Sequence, residues 1–440
     1  MSFPRYENYK DSGVEWLGDV PEHWDVKRLK QVCEVFPSNV DKKTYENETP
    51  VRLCNYTDVY YNENITPHID FMAATASADQ IKKFTLRGGD TIITKDSETA
   101  DDIAIAAYVP QDMPGVICGY HLSMIRPREA TCGAFMKRLF DSIYVKSCCA
   151  VYANGLTRVG LGQYALDNLE MPFPPKSEQQ TIAAFLDCET AKIDALITEQ
   201  QRLIELLKEK RQAVISHAIT TGLNPDVPMK DSGVEWLGEV PEHWETVRLG
   251  ALFKETAEPG NDELPVLSVS IHNGVSDREF EDDELERKVV RSEDRSKYKR
   301  VKVGDLVYNM MRAWQGGFGT VVVPGMVSPA YVVARPTRQI RADFIEQLLR
   351  TQQAVEELRR NSRGVTDFRL RLYWSEFKPI KVALPSIKEQ HDIMEFLDRE
   401  TAKFDELTTE AERAINFLQE HRMALISAAV TGKIDVRRLI

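Results

Sequence analysis

Short stretches with apolar residues at alternate positions occupy the chain from about residue 51 to residue 127. They read VRLCNY, TIITKD, IAIAAYV and HLSMIRP, and turn residues separate them. Period-two alternation with β-branched residues is typical of strands. Ala134 to Ala153 then has a helical pattern that ends at Asn154-Gly155. This part of the chain therefore predicts a mixed domain of strands and helices.

From Ser177 to Thr220 the pattern changes to that of one long helix. This stretch contains no proline and no glycine. Ser177 with Gln180 fits a capping box at its start, and Gly222 marks its end. Steps of four and three residues separate the apolar positions, which is a heptad pattern typical of a helix packed along a partner. The predicted seam comprises Ile182, Leu186, Glu189, Ile193, Leu196, Gln200, Leu203, Leu207, Lys210, Val214 and His217.

A second stretch, after Ser386, repeats this helix. TAKID at Thr190 returns as TAKFD at Thr401, and Ser386 with Glu389 fits another capping box. Because the order along the chain is domain, helix, domain, helix, we expect the two helices to pack antiparallel. The predicted seam of the second helix comprises Ile393, Leu397, Glu400, Phe404, Leu407, Leu418, His421 and Leu425.

A twenty-residue segment occurs twice, 220 positions apart. KDSGVEWLGDVPEHWDVKRL starts at Lys10, and KDSGVEWLGEVPEHWETVRL starts at Lys230. Such a repeat indicates a tandem duplication. We interpret each copy as an extended strap whose tryptophans dock on a core: Trp16 and Trp24 in the first copy, Trp236 and Trp244 in the second.

Weaker similarities link the two mixed domains. GGDTIITK at Gly88 resembles VGDLVYNM at Val303, MIRP at Met124 resembles VARP at Val333, and NGLTR at Asn154 resembles RGVTD at Arg363. The junction TGLNPDVPMKDSG combines the C-terminal TGK with the N-terminal strap, which predicts that the two chain termini lie close together. The predicted fold is α+β: two similar mixed α/β domains and a pair of long antiparallel coiled-coil helices, related by a pseudo-two-fold repeat.

The predicted boundaries follow from these patterns. They are residues 1–175 for the first mixed domain, 176–222 for the central helix, 223–385 for the second mixed domain and 386–440 for the last helix and tail.

Composition adds few constraints on function. The 440 residues are 42% hydrophobic and 28% charged, as in ordinary globular proteins. All seven cysteines lie in the first half, so a duplicated fold is not built on disulfides, and no Cys or His spacing suggests a metal. No apolar run is long enough for a membrane helix, and the N-terminus has no secretory pattern, which predicts a cytoplasmic protein.

The charge distribution is uneven. A net charge of −12 argues against nucleic-acid binding by the chain as a whole. However, Arg287 to Lys302 carries eight basic residues against two acidic ones, and Arg359 to Arg371 is opposed only by Asp367. These segments fit either phosphate contacts or ordinary solvated faces.

Catalytic motifs are missing from the sequence. It has no GxxxxGK[ST] nucleotide loop, no HExxH, no GxSxG and no Asn/Asp-Pro-Pro-aromatic signature of base methylation. His23 and His243 belong to the repeated strap, and we interpret them as packed or capping residues.

Taken together, these motifs resemble the specificity (S) subunit of type I restriction-modification enzymes. They are the repeated DSGVEWLG-VPEHW strap, the Pro-Pro or Pro-Ser entry with Glu-Gln into each long helix, TAK-[IF]-D and the closing TGK-IDVR. The resemblance covers the whole chain. It implies two target recognition domains that each read one half of a split DNA site, with the helices as the spacer between half-sites.

The same resemblance implies partners. Two methyltransferase (M) subunits would dock on the helices, and restriction (R) subunits would join them on double-stranded DNA. S-adenosylmethionine, ATP and Mg²⁺ would belong to those partners, and this chain would be non-catalytic. The alternative is a coiled-coil scaffold that joins two protein-binding modules and has no role on DNA.

Candidate DNA-binding residues come from side-chain chemistry, since Arg pairs with guanine and Asn or Gln with adenine, whereas basic residues bind phosphates. The phosphate candidates of the second domain are Arg291, Lys297, Arg300, Arg363 and Arg369, and its base-edge candidates are Asn309, Arg312 and Gln315. Lys95, Ser97, His121, Thr157 and Arg158 occupy comparable places in the first domain.

Overall fold

The computed structural model describes residues 3–261, 263–271, 274–279, 297–364 and 370–439. The chain forms two compact units. Unit 1 comprises Met1–Gln201 and Glu412–Ile440, and unit 2 comprises Arg202–Ala411. Each unit therefore contains one mixed domain and one segment of each of the two long helices.

The elements of unit 1 are short up to the first long helix. Its strands are β1 (Tyr9–Asp11), β2 (Asp19–Pro21), β3 (Asp25–Arg28), β4 (Cys33–Pro37), β5 (Thr49–Cys54), β6 (Met72–Ala76), β7 (Thr91–Thr94), β8 (Asp96–Ser97), β9 (Ala106–Tyr108), β10 (Val116–Cys118), β11 (Leu122–Pro127), β12 (Val159–Gly160) and β13 (Glu170–Phe173). Its helices are α1 (Leu29–Val32), α2 (Tyr56–Tyr60), α3 (Ala78–Phe84), α4 (Gly133–Asp141), α5 (Ile143–Tyr152), α6 (Gln163–Asp167) and the start of α7 (Lys176–Thr221).

Unit 2 repeats much of this order. Its strands are β14 (Met229–Asp231), β15 (Glu239–Pro241), β16 (Glu245–Arg248), β17 (Phe253–Thr256), β18 (Val269–Ser270), β19 (Gly274–Val275), β20 (Lys299–Val301), β21 (Leu306–Asn309), β22 (Phe318–Thr320), β23 (Gly325–Val327), β24 (Tyr331–Pro336) and β25 (Lys381–Leu384). Its helices are α8 (Leu249–Leu252), α9 (Ala342–Leu349), α10 (Gln352–Asn361), α11 (Trp374–Phe377) and the start of α12 (Ile387–Val430).

The two mixed domains have the same central sheet. Its strand order is β4-β11-β7-β9 in unit 1 and β17-β24-β21-β22 in unit 2. Every neighbouring pair in both sheets is antiparallel. The predicted α+β fold with two similar mixed domains is therefore confirmed.

Two of the three weak sequence similarities, the Gly-Asp and Arg-Pro motifs, supply the two partners of one ion pair in each mixed domain. In unit 1 the Arg126 guanidinium donates to both Asp90 oxygens, at 2.9 and 2.7 Å. In unit 2 Arg335 donates to both Asp305 oxygens at 2.8 Å. Both carboxylates are almost fully buried. A bidentate pair fixes the relative position of two strands, so the Gly-Asp and Arg-Pro motifs have a structural role.

The strap is a β-hairpin that ends at a buried tryptophan. Strand β1 pairs with β2, and β14 pairs with β15 in the same register. Trp24 and Trp244 are fully buried, and Trp236 packs partly buried against the core of unit 2. The prediction that Trp16 is an anchor is wrong, because it is 56% exposed in the hairpin turn while the adjacent Leu17 is buried.

A glutamate in the first turn of α7 holds the first strap. Glu178 accepts hydrogen bonds from the Tyr6 hydroxyl at 2.6 Å and from Trp24 Nε1 at 3.1 Å, and His23 Nε2 lies 2.8 Å from its other oxygen. Burial and the bond to this carboxylate raise the pKa of Tyr6 well above its usual range. His23 thus contacts α7 through Glu178 but keeps 42% of its side chain exposed, so it is less packed than the sequence predicts.

Glu389 of α12 holds the second strap in the same way, with two strap side chains in contact instead of three. Glu389 accepts from Trp244 Nε1 at 3.0 Å, and His243 Nε2 lies 2.8 Å from its other oxygen. The Glu389 backbone N–H donates to Ser386 Oγ at 3.3 Å, so that half of the predicted capping box is confirmed. The predicted Ser177 box is wrong, because α7 begins at Lys176 and the Glu178 N–H donates to the Pro175 carbonyl.

We predict that replacing Glu178 by alanine destabilises the strap more than the matched change Glu389→Ala. The first change leaves a buried Tyr hydroxyl and Trp N–H unpaired, which costs about 2–3 kcal/mol. Glu389 holds fewer donors and its side chain is 26% exposed, against 6% for Glu178. Hydrogen exchange at the two hairpins of the full chain measures the local cost. Equal protection loss in both variants would contradict the prediction, and Glu178→Gln serves as the isosteric control.

The two long helices pair in antiparallel fashion inside each unit, as predicted. In unit 1, Arg422 donates to Asp194 at 2.9 Å, while Glu178 and Gly432 both lie against Trp24. Later residues of α7 therefore pair with earlier residues of α12, which is an antiparallel arrangement. In unit 2, Arg211 lies 3.5 Å from Asp405, and Gly222 faces Glu389.

The buried seam drifts by one residue from the predicted heptads. Ile197 and Ile204 face the partner helix, whereas Leu196 and Leu203 are about half exposed. A straight α-helix has ~3.6 residues per turn, whereas a strict heptad pattern assumes ~3.5. Over about ten turns this difference moves the buried positions by about one residue. For the same reason the predicted seam positions Lys210, Leu407 and His217 are exposed, and so is His421.

The two chain ends meet in unit 1, which confirms that prediction. The Asp435 N–H donates to the Pro4 carbonyl at 2.8 Å, and the Tyr9 hydroxyl donates to the Gly432 carbonyl at 3.0 Å. Gly432 has φ +75°, and a Cβ there would lie 2.4 Å from the Pro21 ring. No helix in the described part of the chain is long and apolar enough to cross a membrane.

Candidate nucleic-acid interface

The candidate residues of the first domain come together where β7 ends. Strand β8 follows directly and pairs antiparallel with β12. The Lys95 N–H donates to the His121 carbonyl at 3.0 Å, and Val159 pairs with Ser97. Thr157 and Arg158 are exposed in the loop that enters β12. All five predicted residues therefore lie around this small two-stranded sheet.

Their side chains differ in what they can reach. Arg158 is 60% exposed, with Nη2 3.8 Å from Glu98 Oε1. Ser97 is buried, so its hydroxyl does not lie on the surface. The Lys95 side chain is 15% exposed, and its ammonium lies 3.2 Å from Asp96 Oδ2 and 4.7 Å from the centre of the Tyr120 ring. Arg158 and Thr157 are thus the accessible members of the group.

Aromatic and polar side chains extend this surface. A cavity of about 190 Å³ lies beside His121, and Tyr56, Tyr120, Lys42 and Asn55 are among its lining residues. Tyr120 is 49% exposed and packs edge-on against His121 at 4.9 Å. Exposed aromatic rings and amide groups beside cations are the side chains that contact bases.

The loop after α2 is fixed to the helices by Glu63. Its carboxylate pairs with Lys137 of α4 and, at 2.9 Å, with Arg422 of α12. Burial opposes its ionisation, but these cations, with Arg138, lower the pKa of Glu63 to about 2. The carboxylate is therefore charged at neutral pH, and it holds the loop next to exposed Tyr61 in place.

The base-edge candidates of the second domain cluster after β21. Asn309 ends this strand, and its side-chain oxygen accepts from the Met311 N–H at 3.0 Å. Arg312 Nη1 donates to Gln315 Oε1 at 2.8 Å, across a 3-10 turn formed by Ala313–Gln315. An arginine and a glutamine that already pair side by side resemble the donor and acceptor array used on base edges.

The phosphate candidates of the second domain do not form one group. Arg363 is 75% exposed and its Nη2 lies 2.5 Å from Glu376 Oε1. Arg300 is exposed on β20, and Lys297 is exposed just before it. Strand β20 pairs with β23 in a separate two-stranded sheet. Arg291 and Arg369 lie outside the described residues.

The two clusters occupy matched places in the fold. Beyond β7, the Leu161 N–H donates to the Lys95 carbonyl at 2.8 Å. Beyond β21, the Leu372 N–H donates to the Met310 carbonyl at 2.9 Å. The backbone of the two domains is thus alike at this point, although the side chains differ, with Lys95 in unit 1 and Met310 in unit 2.

The following loop is matched as well. In unit 1 the backbone groups of Asn154 and Gly160 exchange two hydrogen bonds, and in unit 2 those of Arg363 and Arg371 do the same. The similarity of NGLTR and RGVTD therefore marks one shared loop position. Asp96, Tyr120 and Arg371 were not among the residues predicted from the sequence. Asp96 could have been found, because it directly follows the candidate Lys95.

The described residues contain no group of three or more His, Cys, Asp or Glu side chains arranged to hold a metal ion. At the β8–β12 surface, Asp96 Oδ2 lies 3.0 Å from His121 Nδ1 and 3.2 Å from Lys95 Nζ. The surface can donate and accept hydrogen bonds and can stack on rings, which suits recognition of a polymer.

The known proteins that this chain is similar to are all of one kind. Residues 21–207 match the model of the type I restriction modification DNA specificity domain. The chain is 25% identical over 256 residues to the putative type I restriction enzyme MjaX specificity subunit of Methanocaldococcus jannaschii. That match covers 57% of this chain and 56% of the relative, so it spans little more than half of that protein.

Two further matches cover nearly the whole chain. The type I restriction enzyme MjaVIII specificity subunit of Methanocaldococcus jannaschii is 22% identical over 457 residues, with 100% of this chain and 99% of the relative covered. A solved chain from a study of complex assembly and conformational transition of the type I R-M system has a TM-score of 0.69 at 15% identity. It covers 93% of this chain and 98% of its own, and it shows the shared fold. In sequence and fold the chain is thus similar to type I restriction-modification specificity subunits.

Proposed function

We propose that this chain is the DNA-recognition subunit of a type I restriction-modification complex, and that each mixed domain reads one half of a bipartite, asymmetric site. The observation that carries the proposal is the contrast between matched backbones and different side chains. The Lys95–His121 group and the Arg312–Gln315 group lie at equivalent places but offer different donors and acceptors. Two such domains suit two different half-sites.

The helices would set the spacing between half-sites and dock two methyltransferase subunits. Support comes from apolar side chains left exposed along both helices, since exposed apolar stripes mark interaction surfaces. In unit 1 these are Leu196, Phe417 and Met423, and in unit 2 they are Leu203, Leu206 and Leu407. A rigid helical spacer predicts a fixed unread interval, as half-site spacing does in dimeric DNA-binding proteins.

Catalysis would take place in the partners. In this proposal the methyltransferase subunits supply S-adenosylmethionine and methylate adenine, and restriction subunits supply ATP- and Mg²⁺-dependent cleavage. The chain itself would hold the complex on double-stranded DNA in the cytoplasm. Its net charge of −12 fits a subunit whose partners provide much of the phosphate neutralisation.

Binding to DNA by the chain together with its methyltransferase partner is expected to weaken steeply with salt. A complex that neutralises six or more phosphates loses roughly a thousand-fold or more in affinity between 50 and 200 mM salt. Replacing Arg158 and Arg300 by glutamine should reduce the slope by about two, because each arginine contacts one phosphate. Fluorescence anisotropy with a labelled duplex measures both effects. An affinity that does not change with salt would instead support the scaffold without a role on DNA.

A further inference from the structure

Asp96 lies partly exposed at the surface of unit 1, with 28% of its side chain accessible to solvent. Lys95 Nζ at 3.2 Å and His121 Nδ1 at 3.0 Å both bind Oδ2. No described residue donates a side-chain hydrogen bond to Oδ1. This oxygen instead faces Gly160, where a Cβ would lie only 3.0 Å from it. Because Gly160 has no Cβ, no side chain at this position covers the second oxygen.

The position of Asp96 is not favourable for phosphate contacts. A carboxylate repels the DNA backbone. The Lys95 ammonium and the His121 ring beside it both contact Oδ2, and Lys95 also lies over the Tyr120 ring. An open acceptor at a DNA-facing surface is suited to exocyclic amino groups in the major groove, which cytosine N4 and adenine N6 provide. The chemistry thus favours contact with a base.

Unit 2 carries different side chains at the two corresponding positions. Asn309 ends β21 opposite Tyr331, as Thr94 ends β7 opposite Leu122, so Met311 occupies the place of Asp96. Arg371 stands in the loop position that Gly160 holds in unit 1, and it is exposed. The Arg371 guanidinium can only donate hydrogen bonds, whereas the Asp96 carboxylate can only accept them. The usual base partner of an arginine is guanine.

We infer that Asp96 and Arg371 are specificity-determining residues, one in each mixed domain: Asp96 accepts a hydrogen bond from the amino group of a cytosine or adenine, and Arg371 donates to a guanine. The inference rests on the proposed function. Lys95 and His121 act as positioning residues, because they hold Oδ2 and so direct Oδ1 outwards.

The test is methylation of a randomised target library by the chain assembled with its methyltransferase partner. Asp96→Asn is expected to reduce discrimination at one base pair of one half-site by roughly ten-fold, with the other half-site unchanged. The base pair that loses discrimination identifies cytosine or adenine as the partner. Glu98→Gln is the matched control, because it removes an 85% exposed carboxylate from the same segment and should leave the preferred sequence unchanged.

Gly160→Ala provides a second route that keeps the carboxylate. Its methyl group would block Oδ1, so the same base pair should lose discrimination although the Asp96 charge is retained. Arg371→Gln should relax one guanine position in the other half-site. Arg360→Gln, which removes another exposed arginine from unit 2, should not alter the sequence preference.

The outcomes separate the inference from the proposed function. If the wild-type complex yields no bipartite preference, the proposed function fails. If the wild type yields one and both Asp96→Asn and Gly160→Ala preserve every position of it, the assignment of Asp96 is overturned and the proposed function stands. The same holds for Arg371 if its variant changes only the extent of methylation.

Discussion

Exchange of residues 30–165 for the matching segment of another specificity subunit is expected to change one half of the DNA target and leave the other half unchanged. The segment carries the whole β8–β12 surface with Lys95, His121 and Arg158, whereas the strap tryptophan and Glu178 stay in place. A new half-site should therefore appear at the old distance from the unchanged one. The preferred sequence of the methylated product measures this directly.

The reciprocal exchange of residues 250–375 is the matched control. It should change only the other half-site, because it carries the Arg312–Gln315 group and leaves the second strap and Glu389 in place. Simultaneous changes in both half-sites after either exchange would contradict modular recognition.

Replacement of Asp90 by asparagine is expected to destabilise unit 1 by about 3–5 kcal/mol. The change removes one partner of a buried ion pair and leaves the Arg126 guanidinium without a counter-charge in a largely buried site. Asp305→Asn should cost less in unit 2. There Arg335 keeps a second carboxylate partner, Glu258. Urea unfolding of the full chain, followed by probes in each unit, measures both changes.

Two controls define the origin of this effect. Glu205→Gln removes one partner of an exposed pair with Lys208 on α7 and should cost below about 0.5 kcal/mol. The double change Asp90→Leu with Arg126→Met should restore most of the stability, because apolar side chains of similar volume leave no buried charge. Equal losses for Asp90→Asn and Glu205→Gln would contradict the structural role of the pair.

Sequence periodicity and internal repetition were sufficient for much of the fold. The repeated strap, the antiparallel helices and the meeting of the termini follow from patterns that recur at fixed offsets. The Gly-Asp and Arg-Pro similarities also predicted equivalent strands, although their ion pair needed the three-dimensional structure. Which side chains of the strap and of the long helices are buried depended on packing in the folded chain. Leu17 rather than Trp16 is buried, and the helix seam follows the natural α-helical repeat, so Leu196 and Leu203 are exposed.

The candidate site was less accessible to sequence analysis. Side-chain type suggested Lys95 and Ser97, but Lys95 is paired with Asp96 and Ser97 is buried. Which polar residues face outward depends on strand direction and on neighbouring glycines such as Gly160, and these features appear only in the folded chain. The similarity of NGLTR and RGVTD indicated a matched loop, but the correspondence of Arg371 with Gly160 followed from the backbone hydrogen bonds.

Mapping of methylated adenines across the genome of cells that carry this chain with its methyltransferase partner tests the central claim most directly. The account predicts one asymmetric motif made of two defined half-sites separated by an interval of fixed length and unrestricted sequence. Cells lacking the chain should show no methylation at that motif. A contiguous motif, or methylation that does not depend on this chain, would contradict the account.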